Sequence, residues 1–140
     1  MDHKILCYKI DNKEYYLEHE LFGLVTPILY TCLSDDHERI ICLASDSKNG
    51  IYICAKIHTQ VIVDMLANKI TIREMFEKAY TLYVVESDGK NSELDTVKEM
   101  NIKYIDDDLL PTKGYYFDLE KDETDNCEFF YKLKAELIDF

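Results

Sequence analysis

The chain predicts an α+β domain: a mostly antiparallel sheet, opening as an N-terminal meander, with two or three short helices packed on one face. Three observations predict it. Runs rich in β-branched and aromatic residues follow one another as far as residue 57, separated by clusters of turn formers. From Thr59 the apolar residues switch to a helical period. Only four Gly and two Pro occur in 140 residues, which leaves little chain for long flexible linkers.

The elements follow in order. Residues 3–10 read as a strand, and Asp11-Asn12-Lys13 as the turn that returns the chain through Tyr15-Tyr16-Leu17 in a hairpin. Residues 21–25 are apolar and end at Thr26-Pro27. Three more strands are expected at 28–33, 39–44 and 51–57, with Ser34-Asp35-Asp36 and residues 45–50 as turns. Connections this short favour antiparallel neighbours. A helix over 59–67, capped by Thr59, places Ile62, Met65 and Leu66 on one face.

Thr71-Ile72-Arg73-Glu74 is a capping box, flanked by Ile70 and Met75 at the staple positions. It starts a second helix with Ile72, Met75, Phe76, Ala79 and Tyr80 on one side. Residues 82–85 read as a strand. Ser92 then caps a short helix carrying Leu94, Val97 and Met100, and 102–105 forms a short strand. Residues 106–114 read as loop, 115–119 as strand, and 129–137 as either strand or helix. There is no internal repeat.

At 16.5 kDa, with 47% hydrophobic and 31% charged residues, the chain has the composition of one globular domain spanning 1–140. The formal net charge is −12, and it is uneven: residues 1–85 carry −3 and residues 86–140 carry −9. A surface this negative repels phosphate backbones and anionic membranes. It attracts metal ions or basic protein surfaces, and it also serves plain solubility. The five cysteines are odd in number, form no CxxC pair and fit no zinc-ribbon spacing. The opening residues have no signal-peptide core, and no apolar run reaches the roughly 20 residues a membrane helix needs. The expected compartment is the reducing cytoplasm.

Chemistry-bearing motifs are sparse. Asp106-Asp107-Asp108 offers oxygen ligands to a hard cation but lacks the alternation, Gly and Glu of an EF-hand. Read as a docking surface, the same acids meet a basic partner; read structurally, they are a solvated loop. His3, His19, His37 and His58 fall in no zinc spacing. No GxSxG, P-loop or GxGxxG is present, so neither a catalytic motif nor a cofactor is expected. Tyr115-Tyr116-Phe117, followed by Asp118, Glu120 and Asp122, joins aromatics to acids. Tyrosine gives rigid amphipathic contact area, although such residues also fill ordinary cores.

The stretch Pro27-Ile28-Leu29-Tyr30-Thr31-Cys32, two further strands, and Ile70-Thr71-Ile72-Arg73-Glu74-Met75-Phe76 resemble a small bacterial and phage domain family of unknown function. The resemblance spans 27–76 and implies an α+β fold without an activity.

The expected function is therefore non-enzymatic: an acidic protein that occludes a basic partner, such as a nuclease or another nucleic-acid-binding protein. Phage anti-defence inhibitors and bacterial immunity proteins act in that way. The expected contact residues are Asp106, Asp107, Asp108, Tyr115, Tyr116, Asp118, Glu120 and Asp122. A small metal-dependent hydrolase and a homo-oligomeric structural subunit, for instance a homodimer, are the alternatives.

Overall fold

The computed structural model describes residues 5–23, 27–87, 95–117 and 124–138. Within them seven strands form one sheet in sequence order: β1 (Leu6–Ile10), β2 (Lys13–Gly23), β3 (Pro27–Ser34), β4 (Arg39–Asp46), β5 (Ile51–Lys56), β6 (Thr81–Glu86) and β7 (Thr96–Glu99). Every neighbouring pair is antiparallel, so the meander continues beyond the N-terminal half to the last strand. Three helices complete the fold: α1 (Thr59–Leu66), α2 (Ile72–Glu77) and α3 (Thr124–Ile138).

Turn chemistry explains the first connection. Asp11 and Asn12 both take positive φ, 53° and 65°, which suits the two-residue loop of a tightly twisted hairpin. Between β4 and β5, Gly50 sits at φ 69°, and a Cβ there would meet the Ser87 carbonyl oxygen at 2.1 Å. Only glycine fits that close approach.

The sheet buries both faces, and alternation along each strand assigns the residues. Leu29, Ile41, Ile53, Ala55 and Leu82 point to one face and pack with Ile62, Met65, Leu66, Met75, Phe76, Phe129 and Leu133 of the three helices. Tyr30, Cys32, Ile40, Cys42, Cys54, Tyr83 and Val85 point to the other, where no helix lies among the described residues. That face is covered because the sheet curls upon itself. Tyr8 of β1 stacks on Tyr30 of β3 and meets Tyr52 of β5 edge-on at 6.1 Å. The Tyr83 hydroxyl of β6 donates to Asp11 in the first hairpin at 3.0 Å. The result is barrel-like rather than flat, although β1 and β7 do not pair.

Bulges provide the curl. The β1–β2 register slips by one residue at Cys7, and the β2–β3 register slips at three places. Each slip adds local right-handed twist and bends the strand. One of them leaves Glu18 as the extra residue of β2. Its carboxylate accepts from Arg39 Nε and Nη2, both at 2.7 Å, and from the Thr31 hydroxyl at 2.9 Å. Burial opposes the charge on Glu18, but the Arg39 guanidinium outweighs it and holds the carboxyl below its usual range. Arg39 also reaches Glu136 of α3 at 2.9 Å. Asn126 donates to the Leu21 carbonyl at 2.9 Å, and the His19 ring stacks on Phe129 at 4.3 Å. These contacts latch α3 to β2 and β4.

The structure differs from the sequence reading at five places. α2 ends at Glu77 with Lys78 as its C-cap, so Ala79 and Tyr80 lie beyond the helix and Tyr80 is exposed. His58, not Thr59, is the N-cap of α1, and it makes no side-chain cap bond. Val97 belongs to strand β7 rather than to a helix, because its side chain packs against the tyrosine-lined face; Ser92 and Leu94 lie outside the described residues. Residues 102–104 form a 3-10 turn instead of a strand, since the Asn101 side chain accepts from the Lys103 amide and closes the chain locally. Residues 115–117 are irregular rather than strand, and 129–137 falls within α3.

Candidate partner-binding surface

The loop after β7 carries five of the expected contact residues: Asp106, Asp107, Asp108, Tyr115 and Tyr116. Asp118, Glu120 and Asp122 lie outside the described residues. The loop is built from alternating anchors and exposed groups. Ile105, Leu110 and Phe117 are buried in the helix-side core, and Phe117 stacks near Phe22 at 6.4 Å. Beside and between these anchors, Tyr104, Asp106, Asp107, Asp108, Tyr115 and Tyr116 all face solvent. Tyr104 is 69% exposed, Tyr115 66% and Tyr116 54%, far more than a packing role for these rings would leave.

Helix α2 positions the loop. The Thr71 hydroxyl accepts from the Glu74 amide at 3.1 Å, and the Glu74 carboxylate accepts from the Thr71 amide at 2.9 Å. That backbone hydrogen bond and the hydroxyl both favour the ionised form, so the Glu74 carboxyl is lowered. With its first turn so fixed, α2 presents Arg73 to the loop. Arg73 is nearly buried; its Nη2 meets Asp107 at 2.8 Å and its Nη1 donates to the Pro111 carbonyl at 3.2 Å. The Ile72 amide donates to the Tyr115 carbonyl at 3.1 Å. Positions 107, 111 and 115 are thus tied to one helical turn.

The three aspartates consequently differ in role. Asp107 is 77% exposed at its side chain but engaged by Arg73, so it fastens the loop. Asp106 and Asp108 are exposed beside it. Tyr80 is also exposed, and with Glu77, Glu99 and Asn101 it lines a cavity of about 310 Å³ next to the loop. Tyr80, Tyr104 and the tethering part of Arg73 were not legible as site residues. Arg73 reads only as part of a helix start, and Ile102-Lys103-Tyr104 has the alternation of a strand. The one available signal for Tyr104 was Asn101, a turn former placed just ahead of it.

Among the described residues, no group of three or more His, Cys, Asp or Glu is arranged to hold a metal ion. No helix among them is long and apolar enough to cross a membrane. The five cysteines are free thiols, with Cys32, Cys42 and Cys54 buried side by side in the curled face. The geometry defines a curled antiparallel meander with a helical layer and an acidic, tyrosine-bearing loop. No protein-family model, curated protein or solved structure matches the chain.

Proposed function

We propose that this is a non-enzymatic binding protein whose acidic loop docks on, and occludes, a basic protein surface of the kind that binds nucleic acid. Anti-defence inhibitors and immunity proteins supply the comparison in kind. One observation carries the reading: three exposed tyrosines and two exposed aspartates project from a loop tethered to α2 at three points. A loop held before binding loses less conformational freedom on complex formation. Asp106 and Asp108 would speed and orient the encounter, while Tyr104, Tyr115 and Tyr116 would be buried in the complex. The net charge of −12 adds long-range attraction to a cationic partner.

The test is affinity capture from the lysate of the native host at low and high salt, read by mass spectrometry, with two double variants alongside the parent. A basic protein released by salt is the expected catch. Asp106→Asn with Asp108→Asn should weaken its capture mainly at low salt, and Tyr115→Ala with Tyr116→Ala should weaken it at both. A partner held equally by the parent and both variants would place the interface elsewhere.

A further inference from the structure

The curled face of the sheet carries a second feature, remote in character from the acidic loop. At the open end of the curl lies a cavity of about 310 Å³ whose walls include Ile5, Leu17, Pro27 and Ala44. Cys7, Tyr30 and Tyr52 join them, so among the described residues the lining has a few polar groups and no charged one. Three other cavities of comparable size are each lined by charged side chains: Glu77 and Glu99 in one, Glu18 and Lys132 in two.

The first bulge of the sheet shapes this space. Leu6 pairs with Tyr16 and Tyr8 with Tyr15, leaving Cys7 as an extra residue. Both Cys7 and Tyr8 therefore join the same apolar cluster, where strict alternation would have sent them to opposite faces. The Leu17 amide donates to the Ile5 carbonyl at 2.8 Å and holds the start of β1 against β2. Beneath, the Tyr8 and Tyr30 hydroxyls hydrogen-bond to each other, and their rings stack with centroids 6.4 Å apart. Tyr52 stands edge-on to Tyr8.

We propose that this cavity is a binding site for one small, uncharged aromatic molecule of one or two rings, of the phenol or indole kind. Three observations select that class. Among the described residues the lining offers no counter-charge, so an ionised ligand would lose its hydration without compensation from them. The lining is rich in tyrosine rings, which favour offset or edge-on aromatic neighbours. The volume also fits: an apolar cavity of about 150 Å³ holds benzene, and about twice that accommodates a fused pair of rings. The Tyr30 and Tyr52 hydroxyls and the Cys7 thiol provide the few polar groups that orient a ligand in such a site. Burial raises the Tyr30 hydroxyl well above its ordinary range, so that group stays neutral at any physiological pH.

Indole is a suitable probe, followed by ¹H–¹⁵N NMR, with benzoate as its charged counterpart. Saturable one-to-one shifts confined to Cys7, Leu17, Tyr30, Ala44 and Tyr52 are expected, with benzoate at least tenfold weaker. Ala44→Leu and Cys7→Leu, which fill the cavity, should each weaken indole tenfold or more in a folded protein. Intermolecular nuclear Overhauser contacts from indole to the Tyr30 and Tyr52 rings give a readout in the parent protein that needs no variant. Shifts that fail to saturate, benzoate binding as well as indole, or no contact to those rings would each overturn the proposal.

Discussion

Glu38 accepts hydrogen bonds from Lys13 at 2.8 Å and Tyr15 at 2.8 Å, and pairs with Lys56 at 3.0 Å. Lys13 is the largest influence on it, and its carboxyl falls from an ordinary 4.5 to about 2. Asp36 behaves alike, lowered to about 2 first by the Ser34 hydroxyl and then by Lys13. A carboxyl with a depressed folded-state pKa stabilises the fold fully above its unfolded value and loses that contribution as pH falls through the folded value. The melting temperature should therefore drop as pH goes from 4.5 towards 2. In Glu38→Gln the drop over that window should be shallower, because one of the two carboxylates no longer titrates. Thermal melts across the window check this, and parallel curves for the two proteins would remove Glu38 from the account.

At the scale of elements, α2 depends on its cap. Six residues are too few for a helix to persist on propensity alone, so the box at Thr71 and Glu74 and the buried Met75 and Phe76 sustain it. Thr71→Ala should cost about 1 kcal/mol, the usual loss for a capping hydroxyl, read as a lower urea midpoint with an unchanged slope. Because Arg73 and the Ile72 amide tether the loop, partner capture by the same variant should fall as well. The bulged strands are the other governing elements. The slip at Cys7 puts Cys7 and Tyr8 on one face, and the slip at Glu18 lets Glu18 and His19 both reach α3.

For the whole molecule, the sheet is the shared wall of two apolar clusters, one closed by helices and one by its own curl. Neither side keeps its packing once the sheet opens, so unfolding should be a single cooperative transition. Leu133 of α3 is fully buried in the helix-side cluster. Leu133→Ala should cost about 2–5 kcal/mol. That loss should appear equally in far-ultraviolet circular dichroism and in tyrosine fluorescence. Separate transitions by the two probes would show that α3 detaches on its own. The charge asymmetry also acts at this scale: Asp107 is tied to Arg73 of α2 on the helix side, whereas the described lining of the curled-face cavity has no charge.

Local features of the chain were legible where local chemistry decides them. The Asp11-Asn12 hairpin turn, the Thr71 capping box, the strands near 28–33, 39–44, 51–57 and 82–85, and the acidic character of the last two-fifths all follow from neighbouring residues. Five of the expected contact residues are exposed on one loop, but that Asp107 fastens that loop was not legible. Asp107 reads like Asp106 and Asp108 until Arg73, 34 positions earlier, is brought beside it. The runs at 102–105 and 115–119 alternate like strands, yet the described residues 102–105 and 115–117 pair with no strand, and Ile105 and Phe117 instead plug the helix-side core. The curl, the shared wall and the neutral cavity arise from bulges, which insert one residue against a partner strand. A bulge is a property of two strands at once, so only the tertiary structure could decide it.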